Sequence, residues 1–182
     1  MKAINVSIGT ATVLGLTEAR MEVAPTTAYL MLGGRCVLDC RFCAQARSSQ
    51  ASALNLSRVT WPPFELGETV ARLAEAVGRG DVRRVCVQVT VSKEYFRRTL
   101  DVVRAIRAVS DVPVDAAILP RDVSRVEQLL AAGVDHVGFG LDAACERVFR
   151  RVKGRDWHKA LALIETAAQQ FPARSAMHLI VG

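Results

Sequence analysis

Three cysteines that lie close together in the chain are the side chains best suited to chemistry. Cys36, Cys40 and Cys43 have the spacing C-x3-C-x2-C, and they are three of the five cysteines in the sequence. In a reducing compartment, clustered cysteines indicate metal or redox chemistry rather than a disulfide framework. Three thiolates on one short loop can hold a cubane iron–sulfur cluster, each on a different iron, which leaves the remaining iron open to an outside ligand.

Two other interpretations of these cysteines stay open. A structural zinc site takes four ligands, commonly as two separated pairs. The sequence has no second pair, although His136, His158 or His178 could approach in space. The thiols could also be buried without any ligand. The spacing favours the cluster over both alternatives.

The elements that must position the cysteines alternate between short apolar runs and amphipathic segments. The runs predicted to be buried strands are Ala28–Leu32, Val85–Val91, Val112–Leu119, His136–Leu141 and Met177–Val181. Apolar residues at helical spacing predict helices that contain Leu66–Val77, Phe96–Ile106, Val123–Leu130 and Trp157–Ala168. This alternation predicts a parallel α/β sheet, but periodicity alone does not separate a doubly wound sheet from a βα barrel.

The cysteine loop directly follows the first predicted strand and a Gly33-Gly34 pair. Active sites of parallel α/β folds lie at this carboxyl end of the strands. Residues 1–25 are a leader of uncertain structure, and residues 44–63 are predicted to form a long loop, a feature that is often functional.

Composition narrows the class of protein. The 182 residues are 51% hydrophobic and 23% charged, which is typical of a globular domain. No apolar run approaches the length of a membrane span and the start is not a signal peptide, so we expect a cytoplasmic protein without a membrane partner. The net charge of +6 is spread over several helices, and no nucleic-acid motif accompanies it.

The cysteine spacing with Phe42 before its last member resembles the signature of the radical S-adenosylmethionine (SAM) superfamily. The stretches Cys40–Gln45, Gly140–Ala144 and His178–Gly182 resemble biotin-synthase-related members most closely. The resemblance implies a partial (β/α)6 TIM-like barrel of parallel strands with outer helices and about five βα units. Residues 26–182 would form a core domain that ends before the barrel is complete.

In this superfamily, SAM binds the open iron of a [4Fe-4S] cluster and is cleaved reductively to a 5′-deoxyadenosyl radical. The resemblance assigns Cys36, Cys40 and Cys43 to the cluster. It assigns cofactor contacts to Phe42 (adenine), Asp142 (ribose), Val89 and Thr90 (methionine amino group, through backbone carbonyls) and Ile180, near the adenine-binding end. Phe42 could instead be ordinary loop packing, and Asp142 could cap the following helix.

Other polar side chains stay without a firm role. The methionine carboxylate needs a cation, and the candidates are Arg147, Arg150, Arg151, Lys153 and Arg155. Cys86 matches one ligand of the second cluster of biotin synthase, but Asp115 and Ala176 stand at the next such positions, so sulfur insertion is not supported. We expect Cys86 to be a core residue, and we favour a core position for His178 over contact with substrate.

Two functions follow as hypotheses. The first is a radical SAM enzyme that abstracts hydrogen from a small-molecule substrate, with flavodoxin or ferredoxin as its reductant; the sequence identifies no catalytic side chain and leaves the oligomeric state open. The second is a non-catalytic iron–sulfur or electron-transfer module, or a truncated fragment. A fourth protein ligand to the cluster would favour the second hypothesis.

Overall fold

The computed structural model describes residues 3–181. Met1 and Lys2 of the predicted leader, and Gly182 of the His178–Gly182 stretch, lie outside the described residues. The strands are β1 (Ala3–Val6), β2 (Thr27–Leu32), β3 (Asn55–Leu56), β4 (Val59–Thr60), β5 (Pro63–Glu65), β6 (Arg84–Val89), β7 (Val114–Ala117), β8 (His136–Gly140) and β9 (Ser175–His178). The helices are α1 (Ile8–Val13), α2 (Leu66–Gly78), α3 (Tyr95–Arg107), α4 (Val123–Ala131), α5 (Glu146–Lys153) and α6 (Trp157–Gln170).

Seven of the strands form one sheet in the order β5-β1-β2-β6-β7-β8-β9. All neighbours from β2 to β9 are parallel, whereas β1 is antiparallel to both β2 and β5. This mostly parallel sheet confirms the predicted α/β class. The antiparallel pair at one edge was not predicted.

Buried and partly exposed residues alternate along the strands, so that one face of the sheet is covered by helices and the other is open. Val85 and Val87 of β6 are fully buried with Val103 and Ile106 of α3 in the same hydrophobic core. Helices α2, α4 and α6 add Leu73, Val126 and Ala167 to that core. Because one face of the sheet carries the helices, the arrangement is the wall of a partial barrel, as predicted, and not a doubly wound sheet.

Helix ends follow ordinary capping chemistry. The Asp122 side chain accepts a hydrogen bond from the Arg125 amide at the start of α4, and Asp156 accepts one from Lys159 at the start of α6. Each carboxylate therefore satisfies one of the first helical N–H groups, which have no partner inside the helix. Gly154, in the left-handed region at φ 61°, ends α5.

Several boundaries differ from the predictions. The predicted strand Met177–Val181 is wrong in its bounds, because the residues that pair with β8 are Ser175–His178. No apolar stripe predicted the bounds of helix α5, although a helix after Asp142 was considered. The leader contains β1 and α1, and β1 belongs to the main sheet; the division of the chain at residue 25 stays a prediction. Residues 44–63 are mostly turns, as predicted, with the small β3–β4 hairpin inside them. Among residues 3–181, no helix is both long and apolar enough to cross a membrane.

Candidate cofactor site at the carboxyl edge of the sheet

The cysteine loop leaves β2 through a glycine that no other residue could replace without strain. Gly33 has φ 107°, and a Cβ added there would lie 1.9 Å from Thr90 Oγ1. The same Thr90 hydroxyl donates to the Leu32 carbonyl at 3.1 Å. The start of the loop is therefore packed directly against the end of β6.

Hydrogen bonds from backbone and side-chain groups attach the cysteine loop to three parts of the molecule. The Val37 amide donates to the Val91 carbonyl beyond β6 at 2.8 Å, and the Arg41 amide donates to the Val152 carbonyl of α5 at 2.8 Å. Asp39 accepts from the hydroxyl and the amide of Ser48, and these bonds lower the pKa of its carboxyl. The loop is thus held by the sheet, by α5 and by the chain that follows it.

Gln45, two residues after Cys43, is fully buried. Its Nε2 donates to the carbonyls of Ala53 and Asn55, both at 2.8 Å. Its backbone carbonyl accepts from the Cys36 amide at 2.8 Å. Its Oε1 has no hydrogen-bond partner among the described residues. One side chain therefore joins the cysteine loop to the start of the β3–β4 hairpin.

All three predicted cluster ligands are free, half-buried thiols. The Cys43 amide donates to the Cys40 carbonyl at 3.0 Å, and the Leu38 amide points at Cys36 Sγ at 3.4 Å. Burial raises the pKa of Cys40, the neighbouring Cys43 and Cys36 raise it further, and the Lys153 ammonium opposes them. The pKa of Cys40 is raised overall, so the Lys153 ammonium offsets only part of the effect of burial on this thiol.

The donor set on the cysteine loop is compatible with a cluster. Within residues 3–181, no three His, Cys, Asp or Glu side chains converge closely enough to hold one metal ion. The thiolates of a cubane bind different irons and stand farther apart than the ligands of one ion. Three half-buried thiols on one loop that do not converge on one point are compatible with a cluster.

A nearly buried ion pair lies beside the thiols. Lys153, 9% exposed, donates from Nζ to the Gly140 carbonyl at 2.6 Å and to Asp142 Oδ2. Its ammonium lies 5.9 Å from the ring centres of both Phe42 and Phe149. A Cβ at Gly140 would lie 3.0 Å from the Asp142 carboxylate, so the glycine gives this pair its room. The sequence did not distinguish Lys153 from the other four candidate cations.

Asp142 is held in an uncommon backbone conformation. Its φ is 60°, in the left-handed region, and its amide donates to the His178 carbonyl at 2.8 Å. The cap position of α5 belongs to Cys145, so the alternative that Asp142 caps this helix is wrong. The carboxylate instead stands beside Lys153 at the carboxyl end of β8.

The structure distinguishes among the five cations that were candidates for binding the methionine carboxylate. Arg150 pairs with Glu146 at 2.7 Å, and Arg147 and Arg151 are exposed. Arg155 is half-buried, and burial lowers its pKa overall, although nearby Cys40, Tyr95 and Asp142 act in the opposite direction. Of these five candidates, Lys153 and Arg155 are therefore the two that lie next to Cys40.

The other predicted contact residues lie along the same edge of the sheet. Phe42 is 45% exposed, and Ile180, beyond β9, is 56% exposed. Val89 ends β6, and the buried Thr90 follows it. Their cofactor roles stay predictions.

Two expectations about core residues are wrong. Cys86 is only partly buried and faces away from the helices; Gln88 Nε2 donates to its sulfur at 3.2 Å. Burial raises the pKa of this thiol to about 11. His178 is exposed, and its ring lies over Gly138, where a Cβ would be 3.2 Å from Nε2.

Comparison with known proteins identifies a family and two similar folds. The sequence profile of the radical SAM superfamily matches residues 30–182. Among solved structures, HydG, a maturase of the [FeFe]-hydrogenase, superposes with a TM-score of 0.65 at 16% identity, over 86% of this chain and 35% of that one. Methylornithine synthase (PylB) gives a TM-score of 0.60 at 14% identity, over 84% of this chain and 42% of that one.

The chain thus spans less than half the length of either structure. At these identities the two likenesses concern the fold alone. No curated protein matches the sequence significantly.

Proposed function

The chain belongs to the radical SAM superfamily, and on that premise we propose that it is the cluster-binding part of an enzyme that cleaves SAM reductively. The observation that carries the proposal is the loop of three free thiols at the carboxyl edge of the sheet, with the Lys153–Asp142 pair beside it. When bound there, a reduced [4Fe-4S] cluster and SAM would supply a 5′-deoxyadenosyl radical for hydrogen abstraction.

Cys36, Cys40 and Cys43 would hold the cluster. The fixed loop limits how far the thiolates can move, since backbone bonds from Val37 and Arg41 hold it to the sheet and to α5. The Lys153 ammonium would offset part of the negative charge that the thiolates bring.

SAM would lie along the same edge. Asp142 can accept hydrogen bonds from both ribose hydroxyls, and the exposed ring of Phe42 can stack on the adenine. The carbonyls of Val89 and Thr90 would accept from the methionine amino group, and Ile180 would cover the adenine end. Because Lys153 already donates to Asp142, Arg155 is the better candidate for the methionine carboxylate.

The finer parts of the proposal rest on resemblance. The motifs favour a biotin-synthase-related enzyme in the cytoplasm, with a small-molecule substrate and flavodoxin or ferredoxin as the electron donor. Since Asp115 and Ala176 replace two ligands of a second cluster, we propose hydrogen abstraction without sulfur insertion.

The test is reductive SAM cleavage by the anaerobically reconstituted protein. With dithionite, we expect 5′-deoxyadenosine, measured by liquid chromatography and mass spectrometry. Cys36→Ala, Cys40→Ala and Cys43→Ala should each abolish the product and lower bound iron, whereas Cys145→Ala, at an exposed cysteine outside the loop, should do neither.

The outcomes separate the two hypotheses. A cluster that forms on the three cysteines without SAM cleavage would favour the non-catalytic module. Iron content unaffected by all three substitutions would refute the site itself.

A further inference from the structure

The face of the sheet that lies opposite the helices is unusually polar. Parallel strands are commonly buried on both faces and apolar throughout. Here the open face carries Arg84, Cys86 and Gln88 on β6, Asp115 on β7 and His136 on β8. Uncovered polar side chains on the inner wall of a partial barrel are suited to binding a ligand.

Three of these side chains form one hydrogen-bonded network. Arg84 Nη1 donates to both oxygens of Asp115 at 2.8 Å, and His136 Nδ1 lies 2.9 Å from Asp115 Oδ1. Their side chains are 39%, 25% and 39% exposed for Arg84, Asp115 and His136. Asp115 and His136 are direct partners in the sheet register, so the backbone fixes their spacing.

The network has donors to spare and few free acceptors. Asp115 can only accept, and Arg84 and His136 already bind both of its oxygens. Arg84 uses only Nη1, and no described residue accepts from its Nε or Nη2. A ligand that completes this network must therefore accept hydrogen bonds, and a guanidinium fork matches a carboxylate best.

We propose that Arg84, held in place by Asp115 and His136, anchors a carboxylate group of the substrate. Identifying the ligand as the substrate rests on the proposed function. Arg84 lies five residues before Val89, about 16 Å along the strand from the edge with the cysteine loop. The substrate is thus a carboxylic acid long enough to extend from Arg84 toward that edge, past the exposed His178 ring.

The proposal can be tested without a cluster or SAM. Butyrate and butyramide have nearly the same size and differ in charge, and saturation-transfer NMR can compare their binding to the chain. We expect butyrate to bind about tenfold more tightly or better, since a charge-assisted hydrogen bond contributes that much. Arg84→Gln should remove the preference, whereas Arg83→Gln, at the exposed neighbouring residue, should leave it within about twofold.

A second variant guards against a fold defect in Arg84→Gln. Arg84→Lys keeps the positive charge at this position and should retain part of the preference for butyrate, with the fold of each variant checked by circular dichroism. The proposal is overturned if butyrate does not bind, if butyramide binds equally well, or if Arg83→Gln weakens binding as much as Arg84→Gln. Because no cofactor is present, such a failure would leave the proposal of SAM cleavage standing.

Discussion

Replacing Lys153 by Met would test whether the ion pair beside the cysteine loop holds this end of the fold together. The methionine keeps the length and apolar stem of the side chain but removes the ammonium that binds Gly140 and Asp142. The two side chains of the pair are only 7% and 18% exposed. Asp142 would therefore be left as a nearly buried charge without its partner.

The cost can be estimated from the burial of this pair. Removing one member of a buried ion pair costs about 3 kcal/mol, and the slight exposure of Asp142 places this site at the lower end of the range. With an m-value of about 2 kcal/mol per M urea, the unfolding midpoint should fall by roughly 1.5 M. Urea titration followed by circular dichroism measures this shift on the protein without cofactors.

A double-mutant cycle separates the pair from other effects. Asp142→Asn removes the charge and suits the left-handed backbone at this residue. The double variant should cost about 1–3 kcal/mol less than the sum of the single changes. Lys159→Met, at an exposed lysine of α6, is the control and should stay within about 0.5 kcal/mol of wild type. Additive single effects, or an equal shift in the control, would refute the reasoning.

Three further predictions concern Gln45, Cys86 and Asp135. Gln45→Leu removes the two hydrogen bonds to the carbonyls of Ala53 and Asn55 and should cost about 1–3 kcal/mol, with faster proteolysis of residues 47–54 as the readout. Because burial raises the Cys86 pKa to about 11, iodoacetamide at pH 8 should alkylate exposed Cys145 and spare Cys86 in mass spectra; equal labelling would contradict this. Burial raises the Asp135 pKa, but the Val114 amide and Arg107 lower it below 3.8 overall. The stabilisation by Asp135 is present above pH 3.8 and is lost as the pH falls through the lower pKa that this carboxyl has in the folded state. Acid should therefore destabilise Asp135→Asn less than wild type in urea titrations.

Features that are local in the sequence were predicted well. The cysteine spacing and most strands and helices depend on residues that are close in the chain, and the alternation of strands with helices is enough to predict a parallel sheet. Strand β1 was missed because four residues carry little periodicity. Its place is set by pairing with β2 and β5.

Contacts between distant segments could not be predicted from the sequence. Met177–Val181 has the composition of a strand, but the register with β8 selects Ser175–His178. Helix α5 is short and mostly charged, so its apolar stripe is weak. The burial of Lys153 depends on its contacts with Gly140 and Asp142, which lie before the helix and which no spacing rule connects to it. The network of Arg84, Asp115 and His136 likewise exists only because three strands are adjacent.

The central claim is that Cys36, Cys40 and Cys43 hold a cluster with an iron open to SAM. Low-temperature EPR of the anaerobically reconstituted and reduced protein, with and without SAM, tests it most directly. We predict the signal of a reduced four-iron cluster whose g-values shift when SAM is added. A cluster signal indifferent to SAM, or no cluster signal with zinc retained in its place, would contradict the account.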